Sequence, residues 1–183
     1  MNDRSPLINI IECLIFVSKA PLTVQEISDS LKDFEKKEIT DALSELEEQW
    51  DNMGRSFILS NIAGGYQFRT RPEYSEYIVE FNKEIKKFRL SKAALEVLAI
   101  VAYKQPVTKI EVEKIRGVDC SSSVGMLLER RFIEISGRKD VPGKPFLYRT
   151  TDLFLETFGL KDIKDLPTVK EIEKIKEDLG EPE

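Results

Sequence analysis

The stretch Lys104-Gln105-Pro106-Val107-Thr108 repeats, with small changes, the earlier stretch Lys19-Ala20-Pro21-Leu22-Thr23. The offset is 85 residues (104 minus 19), and it persists three residues beyond each Thr, where Glu26 corresponds to Glu111. A proline ends a helix, and a Thr followed three residues later by Glu forms a capping box that begins the next helix. Two such helix–turn–helix stretches predict two copies of one small structural unit.

The segments around this repeat show the same order of elements in both copies. Apolar residues at helical spacing precede each turn and continue after it. Gln67-Phe68-Arg69-Thr70 is then echoed by Leu147-Tyr148-Arg149-Thr150, and Gly64-Gly65 lies between two short apolar runs, as in a β-hairpin. In the second copy the loop 137–145 separates the two runs and forms a wing. Three helices and a hairpin are winged-helix order, so the sequence predicts an α+β, mostly α fold of two tandem winged-helix domains.

Three segments follow from this repeat. We predict an N-terminal winged-helix domain over residues 1–87, which ends in a connector helix over 72–87. The C-terminal winged-helix domain covers 88–162. Residues 163–183 are rich in Lys and Glu, and we predict an acidic tail that is flexible or a marginal helix.

The composition argues against an enzyme. The chain has no His and only two Cys, Cys13 and Cys120, which are far apart. The usual general base, the commonest metal ligand and any CxxC zinc pattern are therefore missing, and we expect no catalytic residue, no metal and no cofactor. No apolar run approaches the roughly 18 residues of a membrane span, and the start lacks the features of a signal peptide, so we expect a cytoplasmic protein without a membrane partner.

Charge leaves two kinds of partner open. The net charge is -5, but residues 88–150 carry 12 Lys/Arg against 7 Asp/Glu, so the second copy is basic. This pattern is compatible with a DNA-binding regulator, and equally with a surface that faces protein. The predicted third helix of the first copy, 36–50, is crowded with carboxylates that would repel phosphates, so the first domain is a poor reader of DNA.

Several long motifs of the second copy resemble the segregation-and-condensation protein B family. They are the stretches 90–108, 115–118, 127–133 and 137–151, with Phe154-Leu155 and Phe158-Gly159-Leu160 at the end. The first copy is similar to the family more loosely, through residues 11–17 and Gly64-Gly65-Tyr66.

This resemblance implies a function that the pattern of residues alone does not. Proteins of this family are non-catalytic subunits of the prokaryotic SMC–kleisin complex, which condenses and segregates chromosomes. The resemblance implies a homodimer, formed chiefly through the first domain, that grips the middle of one kleisin chain (segregation and condensation protein A). The SMC ATPase would be reached through the kleisin, DNA would be touched at most weakly and indirectly, and the protein would be associated with the nucleoid.

Two sets of residues are candidates for partner contacts. The first helix has a wider apolar face than one core needs, and we predict that the surplus forms the dimer interface: Ile8, Ile10, Phe16 and Val17. The alternative is that this helix is wholly sunk in its own domain. The second set consists of basic and apolar residues at the end of the third helix and in the wing of the second copy, and either a protein partner or DNA could contact them: Arg130, Arg131, Arg138, Lys139, Val141, Lys144 and Phe146. The alternative is a solvated surface with a structural wing turn.

Overall fold

The computed structural model describes residues 6–82, 89–168, 170–172 and 174. The chain divides into two compact units, Met1–Leu90 and Ser91–Glu183. The predicted domain boundary between residues 87 and 88 lies outside the described residues. Among the described residues, no helix is both long and apolar enough to cross a membrane.

In its described residues the first unit contains four α-helices and three strands. In chain order they are α1 (Pro6–Val17), β1 (Leu22–Thr23), α2 (Val24–Ser30), α3 (Lys36–Asn52), β2 (Phe57–Ile62), β3 (Gly65–Thr70), a 3-10 turn (Pro72–Tyr74) and α4 (Ser75–Phe81). The strands form an antiparallel sheet in the order β1-β3-β2. The core lies between α1, α2, α3 and the sheet, with Ile11, Ile27 and Leu43 fully buried at its centre.

The second unit repeats this arrangement. Its elements are α5 (Lys92–Lys104), β4 (Val107–Thr108), α6 (Lys109–Arg116), α7 (Ser121–Glu129), β5 (Ile133–Arg138), β6 (Phe146–Thr150), α8 (Asp152–Phe158) and a 3-10 turn (Ile163–Asp165). The sheet has the order β4-β6-β5, and a bulge interrupts the β5–β6 register between Ile135 and Gly137. The order of helices, sheet and hairpin in both units confirms the predicted pair of winged-helix domains.

The repeated Thr joins the sheet to the second helix in each unit. Thr23 pairs with Gly65 as part of β1 while its hydroxyl accepts the Glu26 N–H at 3.2 Å, as the N-cap of α2. Thr108 pairs with Leu147 and accepts the Glu111 N–H at 3.3 Å. In both boxes the Thr backbone N–H in turn donates to the Glu carboxylate, at 2.8 Å in the first unit and 2.9 Å in the second. The capping boxes are confirmed, but the two-residue strands that contain the Thr residues were not predicted.

The connector helix differs from its prediction. Pro72–Tyr74 form a 3-10 turn, and Pro72 suits its first position because the ring fixes φ and the missing N–H would have no partner there. The α-helix covers only Ser75–Phe81, and Asn82 caps it. Residues 83–87 of the predicted helix lie outside the described residues.

The start of the predicted tail is tied to the second unit. The Tyr103 hydroxyl of α5 donates a 2.7 Å hydrogen bond to the carbonyl of Pro167. Thr168 then forms a third Thr–Glu capping pair, because its backbone N–H donates to the Glu171 carboxylate at 2.7 Å. Residues 163–167 are therefore part of the second unit rather than of a free tail, and the residues after 174 lie outside the described ones.

Candidate interaction surfaces

The outward side of α1 carries no charge. Leu7, Ile8, Ile11 and Ile15 are buried in the core of the first unit. The exposed residues of the helix are Pro6, Asn9, Ile10, Cys13, Phe16 and Val17. An ordinary surface helix presents charged side chains to water. On α1 the exposed fractions are instead 39% for Ile10, 74% for Phe16 and 72% for Val17. The helix therefore displays an apolar face of the kind that marks a protein interface.

One of the four predicted dimer contacts is wrong. Ile8 is only 1% exposed and belongs to the core of its own domain. It lies two residues before Ile10, and a rotation of about 200° along the helix turns it to the opposite side. The face at Ile10, Phe16 and Val17 remains the predicted interface.

A polar contact fixes the orientation of this face. The indole N–H of Trp50, near the end of α3, donates a 2.7 Å hydrogen bond to Glu12 of α1. Trp50 also packs against Phe57 and Phe68, with ring centroids 4.7 and 5.1 Å away. Because α1 is pinned to α3 and to the hairpin strands, it cannot roll to bury Phe16 without breaking this bond and leaving the indole N–H without its partner.

The seven candidate residues of the second unit lie in two separate places. Arg130 and Arg131 follow α7 and precede β5, whereas the other five belong to the wing at the far end of β5. Six strand residues span roughly 20 Å, so the two groups do not form one basic patch. A role for either group in binding stays a prediction.

The basic residues of the wing are engaged within their own domain. The Arg138 guanidinium lies 4.0 Å from the centroid of the Phe146 ring and donates to the carbonyl of Lys144 at 3.0 Å. The Lys139 ammonium donates to Glu111 of α6 at 2.5 Å. These contacts shape the wing, and Val141 stays exposed at its tip.

The Lys139 contact also changes the acidity of its partner. The hydrogen bond from Lys139, followed by the backbone and side-chain bonds with Thr108, lowers the pKa of Glu111 from 4.5 to about 2. At neutral pH Glu111 is therefore an anion that holds the N-terminus of α6 and the wing together.

A groove of about 1080 Å³ lies on the second unit, and sequence reasoning missed it. Its apolar lining comes from α7, the hairpin strands, α8 and the last 3-10 turn: Leu128, Ile135, Leu147, Leu153, Leu155 and Ile163. At one wall the Gln105 side-chain oxygen accepts from the Thr150 backbone N–H at 2.6 Å and hydroxyl at 3.0 Å. Of the predicted contact residues only Arg131 lines the groove. No sequence signal identifies it, because its lining residues come from separate elements that meet only in the fold.

The polar cluster next to α7 does not form a catalytic site. The Lys109 ammonium lies 2.5 Å from the Ser121 hydroxyl, which resembles a base beside a nucleophile. Its hydrogen bond to Glu113 raises the pKa of Lys109, and Asp119 lies 3.7 Å from the same nitrogen. The lysine therefore stays a cation and cannot take the serine proton. Within the described residues, no group of three His, Cys, Asp or Glu side chains is placed to hold a metal ion.

The fold defines a class of protein: a mixed α+β protein of two tandem winged-helix domains. Residues 9–169 match the family model described as "Segregation and condensation complex subunit ScpB". The segregation and condensation protein B of Syntrophotalea carbinolica is 43% identical over 173 residues, which are 94% of this chain and 87% of that protein. The corresponding protein of Ruminiclostridium cellulolyticum is 43% identical over 158 residues, 86% of this chain and 83% of that one. Among solved structures, a dimer of the ScpB N-terminal domain complexed with a ScpA peptide is 22% identical to this chain, with a TM-score of 0.39. The match covers 42% of this chain and 94% of that chain.

The chain belongs to the segregation and condensation protein B (ScpB) family. It is therefore a non-catalytic subunit of the segregation and condensation complex, and the predictions of the family and of a protein that is not an enzyme are confirmed.

Proposed function

We propose that this chain acts as a homodimer, formed through the outward face of α1, that binds the middle of the kleisin subunit ScpA. The SMC ATPase is then reached through the kleisin, and the bound dimer supports chromosome condensation and segregation. The observation that carries the proposal is the uncharged face of α1, where Phe16 and Val17 are about three-quarters exposed. Burying such a face in a two-fold interface removes apolar area from water twice over, once for each copy.

The groove of the second unit supports the kleisin part of this proposal. A cleft of this size, lined by leucine and isoleucine side chains with a few polar groups, suits apolar anchors of a peptide segment. Arg131 and the Arg149–Glu134 ion pair, 2.6 Å long, supply polar groups that orient a main chain. Val141 and Phe146 of the wing are a second candidate contact for the same partner.

Direct reading of DNA is less well supported. The outward residues of α3 include Glu38, Asp41, Glu45 and Glu48, and those of α7 are Ser121, Ser122, Gly125 and Glu129. A recognition helix needs cations for phosphates and polar side chains for base edges, and neither helix offers the cations beyond the first turn of α3. We therefore propose that contact with DNA is weak and indirect.

Size-exclusion chromatography with light scattering tests the proposal on the full chain. We expect a dimer for the wild type and a monomer for Phe16→Glu, because each dimer would bury two carboxylates in an apolar contact. The control is Ile110→Glu, which places the same charge at an exposed apolar position of the second unit and should stay dimeric. A wild-type monomer, or a Phe16→Glu dimer of unchanged affinity, would contradict the dimer proposal.

Adding a recombinant middle segment of the cognate ScpA tests the second half. We expect two copies of this chain to elute with one kleisin segment. The affinity for the segment should change little between about 50 and 200 mM salt, whereas the affinity of a protein that binds DNA through several phosphates falls by orders of magnitude over that range. No binding of the segment, together with salt-sensitive binding of short duplex DNA, would favour a DNA-binding regulator instead.

A further inference from the structure

Helix α4 turns its apolar side to solvent. Tyr74, Tyr77 and Phe81 are spaced by three and four residues and share one side of the helix, whereas Glu76 points away from that side. None of the α4 residues is buried, and Tyr77 and Phe81 are 74% and 90% exposed. An amphipathic helix normally buries its apolar side, but none of the residues that the structure describes covers this side of α4.

The length of α4 makes this exposure more significant. It has seven residues, and its main packing contact is with the 3-10 turn that precedes it. Helices shorter than about 12 residues are marginal in water unless tertiary packing supports them. A seven-residue helix with two exposed aromatic rings therefore gains stability from any partner that covers those rings.

The face of α1 alone is too small for a stable dimer. Fully buried aromatic side chains contribute about 150–250 Å² each and aliphatic ones about 60–120 Å², so Ile10, Phe16 and Val17 expose roughly 250 Å² of apolar surface. Two copies would bury about 500 Å², whereas a stable interface of about 1,200–2,000 Å² that is some 65% apolar needs at least about 800 Å².

Tyr77 and Phe81 supply the apolar area that the face of α1 lacks. At their exposed fractions these two rings add roughly 330 Å² for each copy. The combined apolar area of two copies then reaches about 1,150 Å², which corresponds to a whole interface of roughly 1,800 Å² and lies within the range for stable complexes.

We infer that the aromatic face of α4 (Tyr74, Tyr77 and Phe81) is the second half of the homodimer interface, and that a second copy of this chain covers it. This inference rests on the proposed dimerisation through α1 and extends it. In a two-fold dimer each face is used twice, so α1 and α4 of both copies together give four apolar contact surfaces. Because α4 has few contacts in its own domain, it is free to pack against the partner.

The test compares Phe81→Glu with Phe16→Glu in the full chain, by sedimentation equilibrium over a range of protein concentrations. We expect each substitution to raise the dimer dissociation constant at least about a hundredfold, because each is present twice and a central aromatic anchor accounts for at least about tenfold. Phe81→Leu, which keeps an apolar side chain, and Ile110→Glu, which charges the second unit, should both dimerise like the wild type. Circular dichroism of each variant checks that the helices are retained.

The outcomes separate the two proposals. If both Phe variants are folded monomers, the inference holds. If Phe16→Glu is a monomer and Phe81→Glu dimerises normally, the α4 inference is overturned while dimerisation through α1 stands. The α4 inference is likewise overturned if Phe81→Glu still dimerises and loses only its binding to the kleisin segment. If neither variant dissociates, or the wild type is a monomer, both proposals fail.

A measurement on the wild type protects the test against a variant that does not fold. Amide hydrogen exchange of residues 75–81 should slow at least about tenfold as the protein is concentrated through the dimer transition, because packing stabilises α4 only in the dimer. Exchange at α4 that is independent of concentration while α1 becomes protected would overturn the inference.

Discussion

Replacing Glu111 by Gln removes the charge that joins the wing to the second helix of the second unit. The Glu111 carboxylate accepts from the Lys139 ammonium at 2.5 Å, from the Thr108 hydroxyl at 2.7 Å and from the Thr108 backbone N–H at 2.9 Å. Gln keeps the size and the ability to cap but loses the ion pair. We therefore expect Glu111→Gln to destabilise the second unit, and Lys139→Met to do so by a similar amount.

The magnitude follows from the pKa of Glu111, which these bonds lower from 4.5 to about 2. A shift of this size corresponds to about 3 kcal/mol when solvent does not intervene. The Glu111 side chain is 38% exposed, however, and screening reduces an exposed interaction severalfold, so we expect about 1 kcal/mol at neutral pH. Because the folded pKa lies below the unfolded one, this stabilisation is complete above about pH 4.5 and is lost as the pH falls toward 2.

Urea unfolding measures this effect. Far-UV circular dichroism follows both units, and fluorescence of Trp50, the single tryptophan, follows only the first. The free energy of unfolding assigned to the second unit should fall by about 1 kcal/mol in Glu111→Gln at pH 7, and the difference from wild type should shrink between pH 4.5 and 3. The control is Glu26→Gln in the first unit, where Thr23 bonds lower the pKa of Glu26 in an equivalent capping box. A double-mutant cycle of Glu111→Gln with Lys139→Met that gives less than about 0.3 kcal/mol of coupling would refute the reasoning.

Two further predictions concern the first unit. Gly65→Ala should destabilise it by about 2 kcal/mol or more in Trp50-monitored unfolding, because the new Cβ would lie 2.8 Å from the Pro21 carbonyl carbon. The control is Gly125→Ala in α7 of the second unit, where the new Cβ meets nothing within 4 Å; unfolding followed by far-UV circular dichroism should show stability unchanged or raised by about 0.5–1 kcal/mol. Equal effects of the two substitutions would contradict the close strand approach. Glu12→Ala should lower the stability of the first unit by about 1–3 kcal/mol, since the indole N–H of Trp50 then loses its 2.7 Å acceptor. Trp50→Phe removes the single tryptophan, so far-UV circular dichroism follows this double-mutant cycle. The double variant should lose less stability than the sum of the two single losses, and simple additivity would show that the bond contributes nothing.

The fold was predictable where a local rule decided the structure. Thr108 with Glu111, and the left-handed Gly117 after α6, are short-range signals, and the structure places a capping box and a helix end at these residues. The two-residue strands were not predictable from pattern, because β1 and β4 are too short for any alternation. They exist only because β3 and β6 pair with them.

The candidate surfaces were harder to predict because exposure is a property of packing. Ile8 and Ile10 are alike in sequence, yet the first is buried and the second is half-exposed, since the position of α3 decides which side of α1 faces inward. The wing cations looked like a binding patch in the sequence, but Arg138 and Lys139 find partners in Phe146 and Glu111. The groove depends on α7, the hairpin, α8 and the last turn meeting in space, and no local pattern encodes that meeting.

The double role of the repeated Thr restricts which side chains can occupy these two positions. Thr108 is 2% exposed, and it uses its β-branched shape in β4 and its hydroxyl at the start of α6. Valine would keep the shape and lose the cap, whereas serine would keep the cap and lose buried methyl contact. Because one residue takes part in sheet pairing through its backbone and in helix initiation through its hydroxyl, a substitution at this position affects the sheet and the second helix of its unit at once.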